Sequence, residues 1–206
     1  MTALAAANPI EVAYLETYLF EKVGPHFSKT GIISKEDFWL ILIWKANRSK
    51  NNTRRALEQN GTTFKNAVAG LAESIFNKIC HKDRLVELVI EQRLGLATSS
   101  AILTVLYPLD FTVYDIRVCD ELGGHHKLAN CCHPDRLWSG YQKFLAAVVA
   151  AEPAITLLRD KDKSLWGRSL LKDIDKELME ETPTRKPREL WDTKAKRAAN
   201  RRMSGA

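Results

Sequence analysis

Several things are missing from this 206-residue chain, and each absence narrows its function. No run of roughly eighteen consecutive apolar residues occurs, so no membrane-spanning helix is expected. The opening Met-Thr-Ala-Leu-Ala-Ala-Ala has no basic region before its apolar residues, which makes it a poor secretory signal. Four cysteines (Cys80, Cys119, Cys131, Cys132) are too few for a disulfide framework in a chain of this length. Reduced thiols and a cytoplasmic location are the corresponding expectation. The Cys131-Cys132-His133 run, with Cys119, His125 and His126 nearby in sequence, lacks the separation of about two to four residues found between ligands of structural zinc. Adjacent thiols do not readily face one ion, so neither a metal nor another cofactor is expected. No alternating strand pattern extends beyond 111–114, and there is no internal repeat or low-complexity tract.

Charge is also missing from most of the chain. The total is +6, from 31 basic and 25 acidic residues. Residues 183–206 hold eight basic and two acidic residues, which is the whole surplus, so residues 1–182 sum to zero. A basic tail, weakly helical or flexible, is therefore expected to follow a neutral body of one domain. Attraction to nucleic acid would come from that tail, or from local asymmetry on the body.

What is present is helical periodicity. Asn8-Pro9 suits a helix start, with Ile10, Ala13, Tyr14, Thr17 and Tyr18 as one face and an end near Gly24-Pro25. Ser34, with Asp37 three residues on, has capping-box spacing. The residues that follow (Phe38, Trp39, Ile41, Leu42, Ile43, Trp44) are apolar nearly all round, as in a helix at the middle of a domain. Further helices are expected over 51–60 (closed by Gly61), from Thr62 or Thr63 to about Cys80, over 84–92 behind Asp83, from Pro134 to before Pro153, and over 164–180. The fold class is all-α.

One stretch carries more than packing. Residues 94–118 predict a turn at Gly95, a small apolar helix over 98–106 capped by Thr98, a stop at Pro108, an extended piece over 111–114, and a new helix opened by Asp115. Over about residues 82–122 the chain resembles the helix-hairpin-helix DNA glycosylase superfamily. Gly95 stands at the second hairpin glycine, and Asp-Ile-Arg-Val (Asp115 to Val118) stands at that family's aspartate run. Ala97 stands where lyase-type members carry lysine, and its 18-residue separation from Asp115 matches the family spacing. The chain departs from the pattern too. Arg93 replaces the first hairpin glycine, Glu91-Gln92 replaces the usual Leu-Pro, and the cysteine run of the iron–sulfur members is absent.

The resemblance implies a DNA glycosylase-like fold and hydrolysis of the N-glycosidic bond of a modified or damaged base, as in DNA repair. Asp115 would be the carboxylate. Gly95 and the Thr98 helix start would seat a phosphate on backbone N–H groups, and Arg117 would pair with Asp115 or a phosphate. Without lysine at 97, a Schiff-base route through that position is excluded and the enzyme would be monofunctional, leaving an abasic site. The implied partner is duplex DNA with a base flipped out, and Trp39 and Trp44 are the candidates to stack on it. Lys45 and Arg48, at the same helix end, would hold phosphate or line that pocket. The plainer alternatives stay open: Trp44 as core with two solvated cations, and Asp115 as an ordinary helix cap. The competing function is a non-catalytic helix-hairpin-helix-type DNA-binding or protein-interaction module.

Overall fold

The computed structural model describes residues 9–179; the Asn8 cap and the 183–206 tail lie outside the described residues. The chain divides into two compact units, Met1–Leu170 and Leu171–Ala206. Eleven α-helices are described: α1 Pro9–Ala13, α2 Leu15–Tyr18, α3 Gly24–Thr30, α4 Lys35–Ala46, α5 Lys50–Leu57, α6 Phe64–Asn77, α7 His81–Val86, α8 Leu96–Leu106, α9 Ile116–Glu121, α10 Pro134–Ala151 and α11 Leu158–Met179. No strand occurs among the described residues, in keeping with an all-α chain. None of the described helices is long and apolar enough to cross a membrane.

Within the first unit, α4 packs along α8, and α8 is its most deeply buried helix. All ten residues of α8 except Ala97 that lie between Leu96 and Leu106 are buried. Small side chains make that possible. Gly24 of α3 lies so close to α8 that an added Cβ would stand 2.5 Å from the Val105 carbonyl oxygen. Phe27, Phe38, Ile41, Leu42, Leu85, Leu88, Phe111, Tyr141 and Phe144 complete the core around α8.

Several boundaries differ from expectation for identifiable reasons. Gly24-Pro25 does not end the first helical run. A π-helical stretch, Leu19–Val23, widens the turn ahead of Pro25, whose ring then sits in the opening turn of α3 and needs no N–H partner. The run ends instead at Gly31, which takes the left-handed φ of 69°. Ile10 and Tyr14 are exposed, so the expected first apolar face is not buried; Tyr18, Leu19, Val23 and Phe27 are. Ser34 does cap α4, its Oγ accepting the Asp37 N–H at 2.9 Å. α6 stops at Asn77, which leaves Ile79 98% exposed rather than in the core. Asp83 lies inside the first turn of α7, with Cys80 at the cap position. α11 begins six residues earlier than expected, and Leu171, Ile174 and Leu178 are exposed.

Residues 111–115 join α8 to α9 as extended chain with no ladder partner, although Phe111, Thr112, Val113 and Tyr114 are all buried. Buried backbone without a sheet must find side-chain partners. Tyr141 of α10 donates its hydroxyl hydrogen to the Thr112 carbonyl at 2.6 Å and accepts the Thr112 N–H at 3.0 Å. Burial pushes its phenol far above the ordinary tyrosine pKa, so it stays a donor at any working pH. Tyr141→Phe keeps the ring contacts with Phe111 and Phe144 but strands both backbone groups. The expected loss is about 2 kcal/mol in denaturant unfolding; a loss below about 0.5 kcal/mol would show that the two bonds contribute nothing net.

Candidate active site around Asp115

The extended piece is fixed residue by residue. Asp162 of α11, 2% exposed, accepts the Thr112 hydroxyl at 2.6 Å and the Val113 N–H at 3.3 Å. Tyr114 donates its N–H to Ser100 Oγ at 2.9 Å and its hydroxyl to the His125 carbonyl at 2.8 Å. Asp115 is the next residue, half-buried at the end of this clamped segment. It caps α9, with Oδ1 accepting the Arg117 N–H at 2.9 Å. Oδ2 makes no hydrogen bond among the described residues. The carboxylate is thus held rigidly by one oxygen while the other is left for a ligand.

The hairpin reaches the same place. A π-helical stretch, Glu87–Glu91, follows α7, and Gln92 and Leu94 return their N–H groups to Glu87 and Leu88, each at 2.9 Å. The left-handed residue is Arg93, with φ 54°. It occupies the position of the first hairpin glycine and supplies the bend that the resemblance assigns to glycine. Gly95 is instead extended (φ −60°, ψ 149°), and a Cβ there would meet nothing. So Gly95 is not required by its conformation. It is the N-cap of α8, and Thr98, expected in that role, is buried inside the first turn. No side chain caps α8 at all. Arg93, Gly95 and Ala97 are exposed, while Leu94 and Leu96 anchor the turn in the core. Ser100 Oγ, which holds Tyr114, donates in turn to the Ala97 carbonyl at 3.1 Å. Position 97 and the segment leading to Asp115 are therefore tied through one hydroxyl.

Around Asp115 stands a group of cations and indoles. Lys45, at the end of α4, lies with Nζ 5.3 Å from the Trp44 ring centre and 5.9 Å from that of Trp166. The Arg117 guanidinium is also 5.9 Å from Trp166, and the Arg159 guanidinium is 5.0 Å from Trp44. Glu16 fastens this side of the site. It accepts the Trp44 indole N–H at 3.2 Å, accepts Arg159 at 3.2 and 3.0 Å, and pairs with Lys163 at 3.2 Å. Burial works to raise the Glu16 carboxyl, but the bonds and charges of Arg159 and Lys163 outweigh it and hold the pKa below its ordinary value. Arg159 also pairs with Asp162, so one guanidinium links Glu16 to the clamp on residues 112–113.

Lys45 differs from its neighbours. It makes no ion pair or hydrogen bond among the described residues. Burial lowers its pKa, helped by the like charges of Arg159 and Lys163 and opposed by Asp115 and Glu16. That a charge on Asp115 is felt at Lys45 places the two ends of the site together.

Comparison with protein-family models, with curated proteins and with solved structures finds no match to this chain. The site is therefore argued from its own geometry.

Of the residues singled out from sequence, Asp115, Arg117, Lys45 and Trp44 come together, and Gly95 joins them through the hairpin. Arg48 is exposed in the turn beyond α4. Trp39 does not join Trp44. It lies on another face of α4, edge-on to Phe64 at 5.7 Å, in an open cavity of about 540 Å³ that Arg54 and Glu58 also line. Two indoles five residues apart on a helix point about 140° apart, so one base cannot lie against both. Sequence reasoning missed Trp166, Glu16, Arg159 and Asp162. Glu16 and Arg159 are 143 residues apart, and no local pattern announces such a pair.

The cysteine–histidine loop serves packing. Cys119 is buried in α9, and the Cys131 and Cys132 thiols turn toward backbone carbonyls at 3.8 and 3.7 Å. Burial, with Asp115 and Asp120 adding to it against a hydrogen bond from Tyr114, pushes the Cys119 thiol up to about 11. A thiol reagent at neutral pH should label the exposed Cys80 and Cys132 first, Cys131 more slowly, and Cys119 only after unfolding. Prompt labelling of Cys119 in the folded chain would contradict this packing.

Proposed function

We propose that this protein removes a modified or damaged base from duplex DNA by cleaving its N-glycosidic bond, with Asp115 as the carboxylate at the sugar. The observation that carries the reading is the clamped extended segment, which delivers Asp115 half-buried with one oxygen bound and the other open. As the base departs, positive charge grows on the sugar, and a fixed carboxylate beside C1′ stabilises it without having to reorganise. The same group can orient or deprotonate a nucleophile.

Three further features support the reading. The uncapped first turn of α8 offers free N–H groups behind an exposed hairpin, a suitable seat for a phosphate. Trp44 and Trp166 supply aromatic faces beside the carboxylate, suited to an extruded base. Lys45 and Arg117 supply positive charge where the described body is otherwise balanced. Judged by Ala97 alone, water is the nucleophile and an abasic site the product.

A screen tests this directly: the purified chain is incubated with duplex DNA bearing oxidised, alkylated or deaminated bases, and released bases are detected by mass. Release of a base class with matching abasic sites is expected. DNA binding without release of any base would favour the second reading, a binding module on the same fold, which the capping role of Asp115 also suits.

A further inference from the structure

Ala97 removes the amine from one position, but an amine still stands beside the carboxylate. We infer that Lys45, arriving from α4, is the nucleophile at C1′ in place of water, so that the protein both removes the base and nicks the strand. The inference rests on the base-removal reading above and replaces its water-only product.

The geometry singles out Lys45 among the cations of the site. Arg117 and Arg159 already stack on Trp166 and Trp44, and a guanidinium does not give up its proton. Lys163 is exposed and paired with Glu16 and Asp160. Lys45 alone is half-buried between both indoles with no anion bonded to it among the described residues. A lysine kept only to hold phosphate would gain from exposure and full charge. Burial and the like charges of Arg159 and Lys163 instead favour the neutral amine, the form that attacks. Asp115 is near enough to take its proton. The tie from Ala97 through Ser100 to Tyr114 places the position of the missing amine on the same side.

The chemistry balances without any further reagent. The C1′–N bond to the base breaks, and its electron pair leaves with the base. The Lys45 lone pair forms the new bond to C1′, and Nζ passes a proton to Asp115. The C1′–O4′ bond then opens; O4′ keeps the electron pair and takes that proton, leaving an iminium between C1′ and Nζ. Loss of a C2′ proton expels the 3′ phosphate with the C3′–O electron pair. Water adds to C1′, the C–N bond breaks, and Lys45 returns as the free amine. The strand is left with an unsaturated aldehyde on one side and a 5′ phosphate on the other.

The test does not depend on knowing the base. The full chain is mixed with a duplex oligonucleotide holding one abasic site, in the presence of sodium cyanoborohydride, which reduces an iminium to a stable amine. A covalent protein–DNA product is expected, and peptide mass mapping of the wild-type adduct should place it on Lys45. Lys45→Arg keeps the positive charge and should lower adduct yield about a hundredfold, with the melting temperature reporting that the variant is folded. An adduct on another lysine or on the N-terminal amine overturns the inference. So does the absence of an adduct in a wild-type chain that binds the duplex. If that chain still releases bases, base removal by water stands and only Lys45 falls. If it neither binds abasic DNA nor releases bases, both readings fall.

Discussion

Asp115→Asn should cut base release by about a thousandfold while leaving the fold as stable as before. The two effects separate because the side chain does two jobs. As a cap it needs only an oxygen that accepts the Arg117 N–H, and asparagine caps a helix as well as aspartate does. As the carboxylate at the sugar it needs a full negative charge, which an amide lacks. The amide also cannot take a proton from a nucleophile. DNA affinity should hold or rise, since a negative charge is removed from beside the phosphates. Asp115→Ala is the companion variant. It loses the cap as well, at about 1 kcal/mol, and so reports the structural role alone. Base release by Asp115→Asn within about tenfold of the wild-type rate would remove Asp115 from the chemistry and leave it a cap.

Asp162→Ala should be the most damaging single change to stability, at about 3–5 kcal/mol. Asp162 is buried and has three partners: the Thr112 hydroxyl, the Val113 N–H and the Arg159 guanidinium. Truncation leaves a donor hydroxyl, a backbone N–H and half of a buried guanidinium without their acceptor. Removing one member of such a set costs far more than the set contributes net, because the remaining charge stays buried. For a chain of this size the drop in melting temperature should be roughly 10 °C. Asp162→Asn keeps an acceptor for Thr112 and should lose less. Base release should also fall at temperatures where Asp162→Ala remains folded, since residues 112–113 position Asp115. A stability loss below about 1 kcal/mol would show that Arg159 and Thr112 find other partners.

How much of this could be read in the sequence depends on how local the signal is. Ser34 with Asp37, Thr63 before Phe64, and Asp115 before Ile116 all cap the helices that they were expected to open, because an N-cap acts within one turn. Pro134 likewise opens α10. Readings that needed tertiary knowledge went astray. Gly24-Pro25 looks like a stop until a wider turn absorbs the proline and Val105 explains the glycine. Thr98 looks like a cap, but α8 starts two residues earlier because Leu94 and Leu96 anchor the turn. Leu171, Ile174 and Leu178 have helical spacing, yet spacing does not say whether anything covers them. In the site, Asp115 and Lys45 sit on readable helix ends, whereas Trp166, Glu16 and Arg159 meet only through the fold.

The bridge from Glu16 to Arg159 spans 143 residues of chain. A nascent polypeptide leaving the ribosome therefore carries Trp44, Lys45 and Asp115 long before the arginine that fastens them has been translated. Until α11 docks, Glu16 has neither of its cations and the 112–113 segment lacks its acceptor. Closing so long a loop comes late in folding, since its entropy is spent before its contacts form. An incomplete product, or a fragment cut anywhere between the two, would keep much of the helical core and still hold no assembled site.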